Sequence, residues 1–558
     1  DRPTRRSSSA SIDRYLCGEA LVGALHEASC KRLGGGWTWS QKANPAWPSS
    51  SAKWMGRAQA SRDSIGVVWR TGGRLWASGS RVVIFVVVLA AAALLFRRAE
   101  AAPTWSQLTS DHFVMRTDLD AAEAEETIRK LEETRAAMLA MVWGGAAGPP
   151  GRAPVIAFRT ERELSVFSRG TFRGRYVEPY PFQRTLVLAG PPAGSSLEHE
   201  LAHHLSTWFL PICPDWYSEG LACFLETIRY NRKQQTAYLG EPALERFRVA
   251  QASGDVTMAQ LFGERPVGPA ESSRWYASTW KLVHYLISRR LEAFERFQRR
   301  LGALEPARQA WKTEFPDLDA EHLSQVLARE QPTGVRALAP QMVPRWQGRI
   351  QVRPLTAAEV HVVRGFAFAY LMPIGKDFDP ALVRSETSEA LREDPTLVDA
   401  VALEVFLPGV VPDHSKVELA DRTARAHPES WLAWLTVVAA NKQDQPVALG
   451  AATRALALAP DERAATIYMA NVRAARGEWV EAAALGHRAL ALHVAHDEFL
   501  MFYVATLAST GRCDDAAAWA ARLAIYLPPK KTQMFLREWR WLRQICFWPP
   551  RPSGSEKN

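Results

Sequence analysis

The sequence predicts an α+β domain followed by an all-α array of helix pairs. Apolar runs at 154–158 and 185–190 read as strands ahead of a helix that begins near Ser195. From about residue 429 to 528 a phased 34-residue period takes over. The length, 558 residues at roughly 150 per domain, allows three to four units, and 47% apolar residues provides for large cores. Six scattered cysteines, without a C-x-x-C pair, exclude a disulfide scaffold and a zinc ribbon, and leave one or two bridges at most beyond residue 100.

A formal charge of +9 and a pI near 9.3 suggest an anionic partner until the charge is located. Residues 1–100 hold 15 Lys and Arg against six Asp and Glu, the whole excess. The other 458 residues balance 53 against 53, so a nucleic-acid groove fed by global charge is not expected of the folded body.

Val82–Phe96 is a run of 15 apolar residues preceded by Arg70, Arg74 and Arg81. As a helix it reaches about 22 Å, short of the roughly 30 Å hydrocarbon core, and fits a signal-peptide core with a small-x-small site at Ala99-Glu100-Ala101. Cleavage there starts the mature chain at Ala102 and predicts an exported, periplasmic or cell-envelope protein. Arg97-Arg98 opposes translocation, which leaves an uncleaved membrane anchor over 81–101 as the alternative; a buried helix would need the polar face that this segment lacks. Residues 1–80, rich in Ser, Arg, Gly and Trp without apolar period, read as an unstructured or mis-assigned leader, with initiation at Met55, Val67 or Val68.

Ser195 followed by Glu198 forms a capping box, and Leu201, Leu205 and Trp208 recur at helical spacing. On this helix lies H-E-L-A-H, residues 199–203. His199 and His203, one turn apart, project from one face and can meet one tetrahedral Zn²⁺, while Glu200 can take a proton from water at the metal. Ser206 and Phe209 exclude the metzincin spacing. Downstream, P-D-W-Y-S-E-G-L-A-C-F-L-E (214–226) starts a second helix that can return Glu219, 16 residues after His203, as the third ligand. Two histidines, a glutamate and an open water position make the hydrolytic zinc arrangement. Alternatively, the His pair is surface polarity and Glu219 a first-turn glutamate on the helix dipole. His204 points elsewhere, Asp215 reads as an N-cap, and Glu226 either supports the site or faces solvent.

H-E-L-A-H followed by W-Y-S-E-G-L-A-C-F resembles the gluzincin metallopeptidases, above all bacterial peptidase-MA-like domains, over roughly residues 105–300. Residues 105–118 look like the family's opening strand, and W-Y-A-S-T-W-K-L-V-H-Y-L-I (275–287) like the helix behind the site. The resemblance implies a zincin-like domain over 105–345, with His199, His203 and Glu219 as ligands, Glu200 as general base, and a peptide or protein substrate. It also implies a residue stabilising the oxyanion, with Tyr276 the first candidate and Tyr217 the second, and edge pairing of an extended peptide on the strand around Leu186–Leu188. Cys223 departs from the pattern, standing where some gluzincins place an acidic residue beside a ligand.

In the C-terminal half, Gly477 and Gly511 are 34 apart, as are Ala448, Ala482 and Ala516, and R-A-L-A-L-A-P (454–460) returns as R-A-L-A-L (488–492). This period is the tetratricopeptide signature, giving repeats over 350–530, with looser units ending at Asp394-Pro395 and His427-Pro428 and a capping tail over 531–558. An Ala-rich bundle without repeats is the competing reading. A stack of this kind offers a face to a protein partner. The expectation is therefore an exported zinc peptidase with a docking array; the alternative is a protein-binding scaffold whose peptidase half is degenerate.

Overall fold

β1 (Ser106–Thr109) and β2 (Phe113–Thr117) form an antiparallel hairpin where the sequence suggests one opening strand. The computed structural model describes residues 104–168, 173–179, 182–190, 196–241, 243–253, 257–261, 269–329, 338–371, 378–410, 412–443, 445–494 and 497–526, with Phe535 and Cys546. The expected leader, the apolar segment 82–96, Ser195 and nearly all of the expected tail lie outside the described residues. Among the described residues no helix is long and apolar enough to cross a membrane.

Asp120 caps α1 (Ala121–Val142), which carries the chain over to β3 (Ala153–Phe158), parallel to β2. After α2 (Glu161–Val166) come β4 (Gly174–Val177) and β5 (Thr185–Ala189), antiparallel to each other, with β5 parallel to β3. Much later β9 (Gln351–Pro354) pairs with β1, and the mixed sheet runs β4-β5-β3-β2-β1-β9. Its central strands are apolar on both faces because both faces are covered. Met115, Val155, Ala157, Leu186 and Leu188 pack in one core with α1 and the two helices of the site, α3 (Ser196–Phe209) and α4 (Asp215–Leu225). Ile156, Phe158, Val177 and Val187 face the other way, into a core with Val362, Val363, Ala367, Val383 and Leu403.

Those last residues belong to α11 (Ala357–Tyr370), α12 (Pro380–Glu393) and α13 (Val398–Phe406), the start of the helical half. The described residues accordingly fall in one compact unit. The boundary expected near residue 350 lies inside it, since β9 is a strand of the sheet and the next helices are its roof.

Between the two layers of sequence lie a small sheet, β6 (Arg229–Asn231), β7 (Thr236–Tyr238) and β8 (Gln341–Met342), and helices α5 (Leu244–Ser253), α6 (Met258–Leu261), α7 (Pro269–Arg289), α8 (Leu291–Gly302), α9 (Ala307–Glu314) and α10 (Ala320–Arg329). Trp216, Trp280, Trp311, Phe297 and Phe315 fill the core there.

After α14 (Asp413–Ala426) the array continues as α15 (Trp431–Ala440) with α16 (Pro446–Leu458), α17 (Arg463–Ala475) with α18 (Trp479–Ala491), and α19 (Asp497–Ser509) with α20 (Cys513–Tyr526). Gly477 and Gly511, at φ 77° and 80°, turn the chain between partners in the last two pairs, a conformation that side chains with a Cβ avoid. Helices α12, α14 and α16 each stop just before an X-Pro bond, at Pro395, Pro428 and Pro460, where proline removes the α conformation from its predecessor. Small residues set the spacing: a Cβ on Gly486 would stand 2.6 Å from the Tyr503 ring. A disulfide joins Cys513 to Cys546, and Cys213 and Cys223 are free thiols.

Candidate metal centre

α3 carries the H-E-L-A-H motif with Leu197, Leu201, Ala202 and Leu205 turned into the core, which leaves the His199 and His203 face partly open. Glu198, expected in a capping box, is buried with its Oε1 2.9 Å from Lys130 Nζ of α1. The chain then turns through Leu210–Cys213 and starts α4 after Pro214. Gly220 lets α4 settle on α7: a Cβ there would lie 2.6 Å from the Thr279 carbonyl oxygen and 2.7 Å from Val283 Cγ2. This close approach brings Glu219 to the two histidines.

His199 Nε2 and His203 Nε2 are 3.1 Å apart, and Glu219 Oε2 lies 3.3 Å from the first and 3.4 Å from the second. Donors held at 2.0–2.1 Å by a tetrahedral ion stand about 3.3–3.4 Å from one another, so the triangle already has the size that zinc requires. The outward ring nitrogens are engaged too. Glu226 Oε1 accepts from His199 Nδ1 at 2.7 Å, and Ser218 Oγ is 3.2 Å from His203 Nδ1. Partners at both Nδ1 atoms leave both Nε2 atoms turned to the centre, where a metal would take the place of the protons they hold. Arg246 of α5 fixes Glu226 in turn, its Nη2 2.7 Å and its Nε 3.1 Å from Oε2. A second group of donors, His199, Cys223 and Glu226, shares the His199 ring from the other side.

The electrostatics agree with this chemistry. Burial works against ionising Glu219, but hydrogen bonds from His199 and His203 outweigh it and hold the carboxyl far below its usual range. Burial likewise disfavours protonated His199, yet contacts with Cys223, Glu219 and Glu226 keep its pKa well above the ordinary value. The cluster thus balances its negative charge with protons, the role that a divalent cation takes when it displaces them.

Glu200 is buried, and burial raises its pKa against the pull of His199 and His203. Strand β4 lies on it: the Tyr176 backbone N–H donates to its carboxylate, and a Cβ on Gly174 would stand 2.8 Å from Glu200 Cγ. The Tyr176 ring stacks on His203, centroids 6.3 Å apart, and meets His204 edge-on at 5.9 Å. His204 is held neutral, its pKa pushed down to about 3 by burial and then by Arg184, Arg135 and Arg463.

Tyr276, on α7, brings its ring to 6.5 Å from that of His199 and is partly exposed. Tyr217 is elsewhere. It is fully buried among Trp216, Phe294 and Phe297, with its hydroxyl accepting from Gln298 Nε2 at 2.7 Å, because two residues before Glu219 is the opposite side of α4. The strand expected to receive an extended peptide also changes. Leu186–Leu188 belongs to β5, which has β3 on one side and β4 on the other, and among the described residues β4 is the edge beside the site. Ser218, Arg246, Gly174 and Tyr176 were not singled out from sequence. Ser218 adjoins Glu219 in the motif and could have been; the others carry no local signal.

No protein-family model matches the chain, and no curated protein matches it. Among solved structures, the crystal structure of MamA protein is similar over 30% of this chain and 90% of its own, at 14% identity and a TM-score of 0.24.

Proposed function

We propose that the chain is an exported zinc-dependent peptidase of the gluzincin type, whose C-terminal helices form a tetratricopeptide-like array for a protein partner. The observation that carries this reading is the triangle of His199 Nε2, His203 Nε2 and Glu219 Oε2 at 3.1–3.4 Å, with the outward nitrogens of both rings engaged. His199, His203 and Glu219 would hold the zinc, which when bound supplies Lewis-acid activation of water and of the scissile carbonyl. Glu200 accepts a proton from the attacking water as its oxygen bonds to the carbonyl carbon. It then gives that proton to the amine nitrogen as the C–N bond breaks. Burial raises its pKa, which strengthens it as a proton acceptor. Tyr276 donates its hydroxyl hydrogen to the developing oxyanion.

The edge strand β4 is where an extended peptide would add to the sheet. Export is supported by the Cys513–Cys546 disulfide, a bond of oxidising compartments, and a protein partner by the 34-residue period with its three helix pairs. A degenerate scaffold would have no use for a carboxylate buried at Glu200, since burying one is costly. The test is metal content paired with casein cleavage. Wild type and Glu200→Gln should each carry one zinc per chain, with cleavage about 10²- to 10⁴-fold slower in the variant. A wild-type protein that takes up no zinc sinks the reading.

A further inference from the structure

Phe182, Gln183 and Arg184, just ahead of β5, contact the helical half. The Phe182 ring sits among Phe366, Tyr370 and Phe406 of the helical half, with centroids 6.0, 5.9 and 6.1 Å away. The Phe182 carbonyl accepts from Arg463 Nη2 at 3.3 Å, and Gln183 Nε2 is 3.5 Å from Glu462 Oε2. Arg184 donates from Nη2 to the His493 carbonyl at 3.3 Å and pairs through Nε with Glu178 at 3.3 Å. From β4 itself, Arg175 Nη1 reaches the Leu371 carbonyl at 3.0 Å. The end of α3 is gripped as well: the Trp208 and His493 rings are 3.7 Å apart, and Ile212 lies in the core of the last helix pairs.

Strand β4 has four residues and, among the described residues, a ladder partner on one side only, so the ladder alone fixes its position weakly. Yet it is β4 that lays Gly174 and the Tyr176 N–H on Glu200, and the Tyr176 ring on His203. We infer that the helical array is part of the active site: through Arg463 and His493 it holds Phe182 and Arg184, the latter paired with Glu178 beside β4, and thereby keeps β4 on Glu200 and His203. Arg463 is then a positioning residue for the reaction, acting through β4 without touching substrate. The inference rests on the peptidase reading for its catalytic consequence, and on the contacts alone for its structural one.

The test uses the full chain carrying Arg463→Met, which keeps the aliphatic stem and removes the guanidinium, beside Arg463→Lys. Casein kinetics, zinc content and hydrogen exchange of peptides spanning 174–189 are measured together. In Arg463→Met, kcat is expected to fall about ten- to hundredfold with KM and zinc content near wild type, as for a misplacement remote from the chemistry. The Tyr176 amide should exchange at least about fivefold faster while α20 keeps its protection, and Arg463→Lys should recover part of both effects. Unchanged exchange in β4, or faster exchange with kcat intact, overturns the inference. If Arg463→Met does not fold, Arg184→Met cuts the hold from the other side and is read in the same way. A wild type without zinc or cleavage sinks the peptidase reading, and the exchange comparison still decides whether the array holds β4.

Discussion

Replacing Glu226 by glutamine tests the proposed zinc site through a residue outside its His199–His203–Glu219 triangle. Its carboxylate takes the His199 Nδ1 hydrogen at 2.7 Å and meets Arg246 on its other side, with only 12% of the side chain exposed. Glutamine offers one acceptor and one donor. Turned either way, its NH₂ faces the His199 N–H or the Arg246 guanidinium, so one donor meets another where little water can relieve it. The charge that raises the basicity of His199 is lost as well. Outer partners of this kind are worth about 10- to 100-fold in metal affinity, or about 1.4–2.7 kcal/mol, and the donor clash places Glu226→Gln toward the upper end. The assay is competition for zinc against a chromophoric chelator at neutral pH, with circular dichroism to show that the fold is retained. Arg246→Met should shift affinity in the same direction by less. A zinc affinity within about twofold of wild type in folded Glu226→Gln would refute the assignment of Glu226 as the group that orients His199.

Three further outcomes are expected. Tyr276→Phe should lower kcat about 10²- to 10³-fold with zinc retained, whereas Tyr217→Phe should leave kcat alone and cost about 1 kcal/mol of stability through its bond with Gln298; steady-state kinetics and urea unfolding separate the two. Gly220→Ala should destabilise the protein by about 1–3 kcal/mol and weaken zinc binding, because the added Cβ pushes α4, and Glu219 with it, away from Thr279. His284 is buried against Trp280 and Phe224, and burial, then the charge of Arg289, depress its pKa to about 4. The unfolded chain therefore binds a proton that the native one refuses, and stability should fall by up to about 3 kcal/mol between pH 6.5 and 4; unfolding at pH 7.5 and 4.5 should show a shallower loss in His284→Leu.

What the sequence discloses and what it hides divide along locality. His199 and His203 are one helical turn apart, so their convergence follows from spacing alone. Glu219 and Glu226 are seven residues apart, two turns of one helix, which places both on one face without saying whether that face is covered. The structure covers it with Arg246, from a helix whose sequence gives no sign of the task. Tyr217 misled because its neighbours in the motif are site residues, while the 200° that separates it from Glu219 sends it into the core. Strand order is equally silent in a single chain: the apolar run at 185–189 reads as a strand, but nothing in it says that β4 lies outside it. The helical period was readable because each unit repeats its own turns. That its first helices roof the sheet was not, since Ile156 and Phe158 look the same whichever element covers them.

The pairing of β1 with β9 has a consequence for how the chain comes to be folded. Ser106 lies opposite Pro354, roughly 250 residues later, a closure of the kind that slows folding. During synthesis the sheet therefore waits with an open edge, and with Ile156, Phe158 and Val187 bare, until α11–α13 have also emerged. A nascent chain of this kind stays unfinished through most of its synthesis. That delay leaves the partial chain with apolar surface and an unpaired strand edge exposed. It should show as aggregation of chains truncated before residue 354 while the complete chain stays in solution.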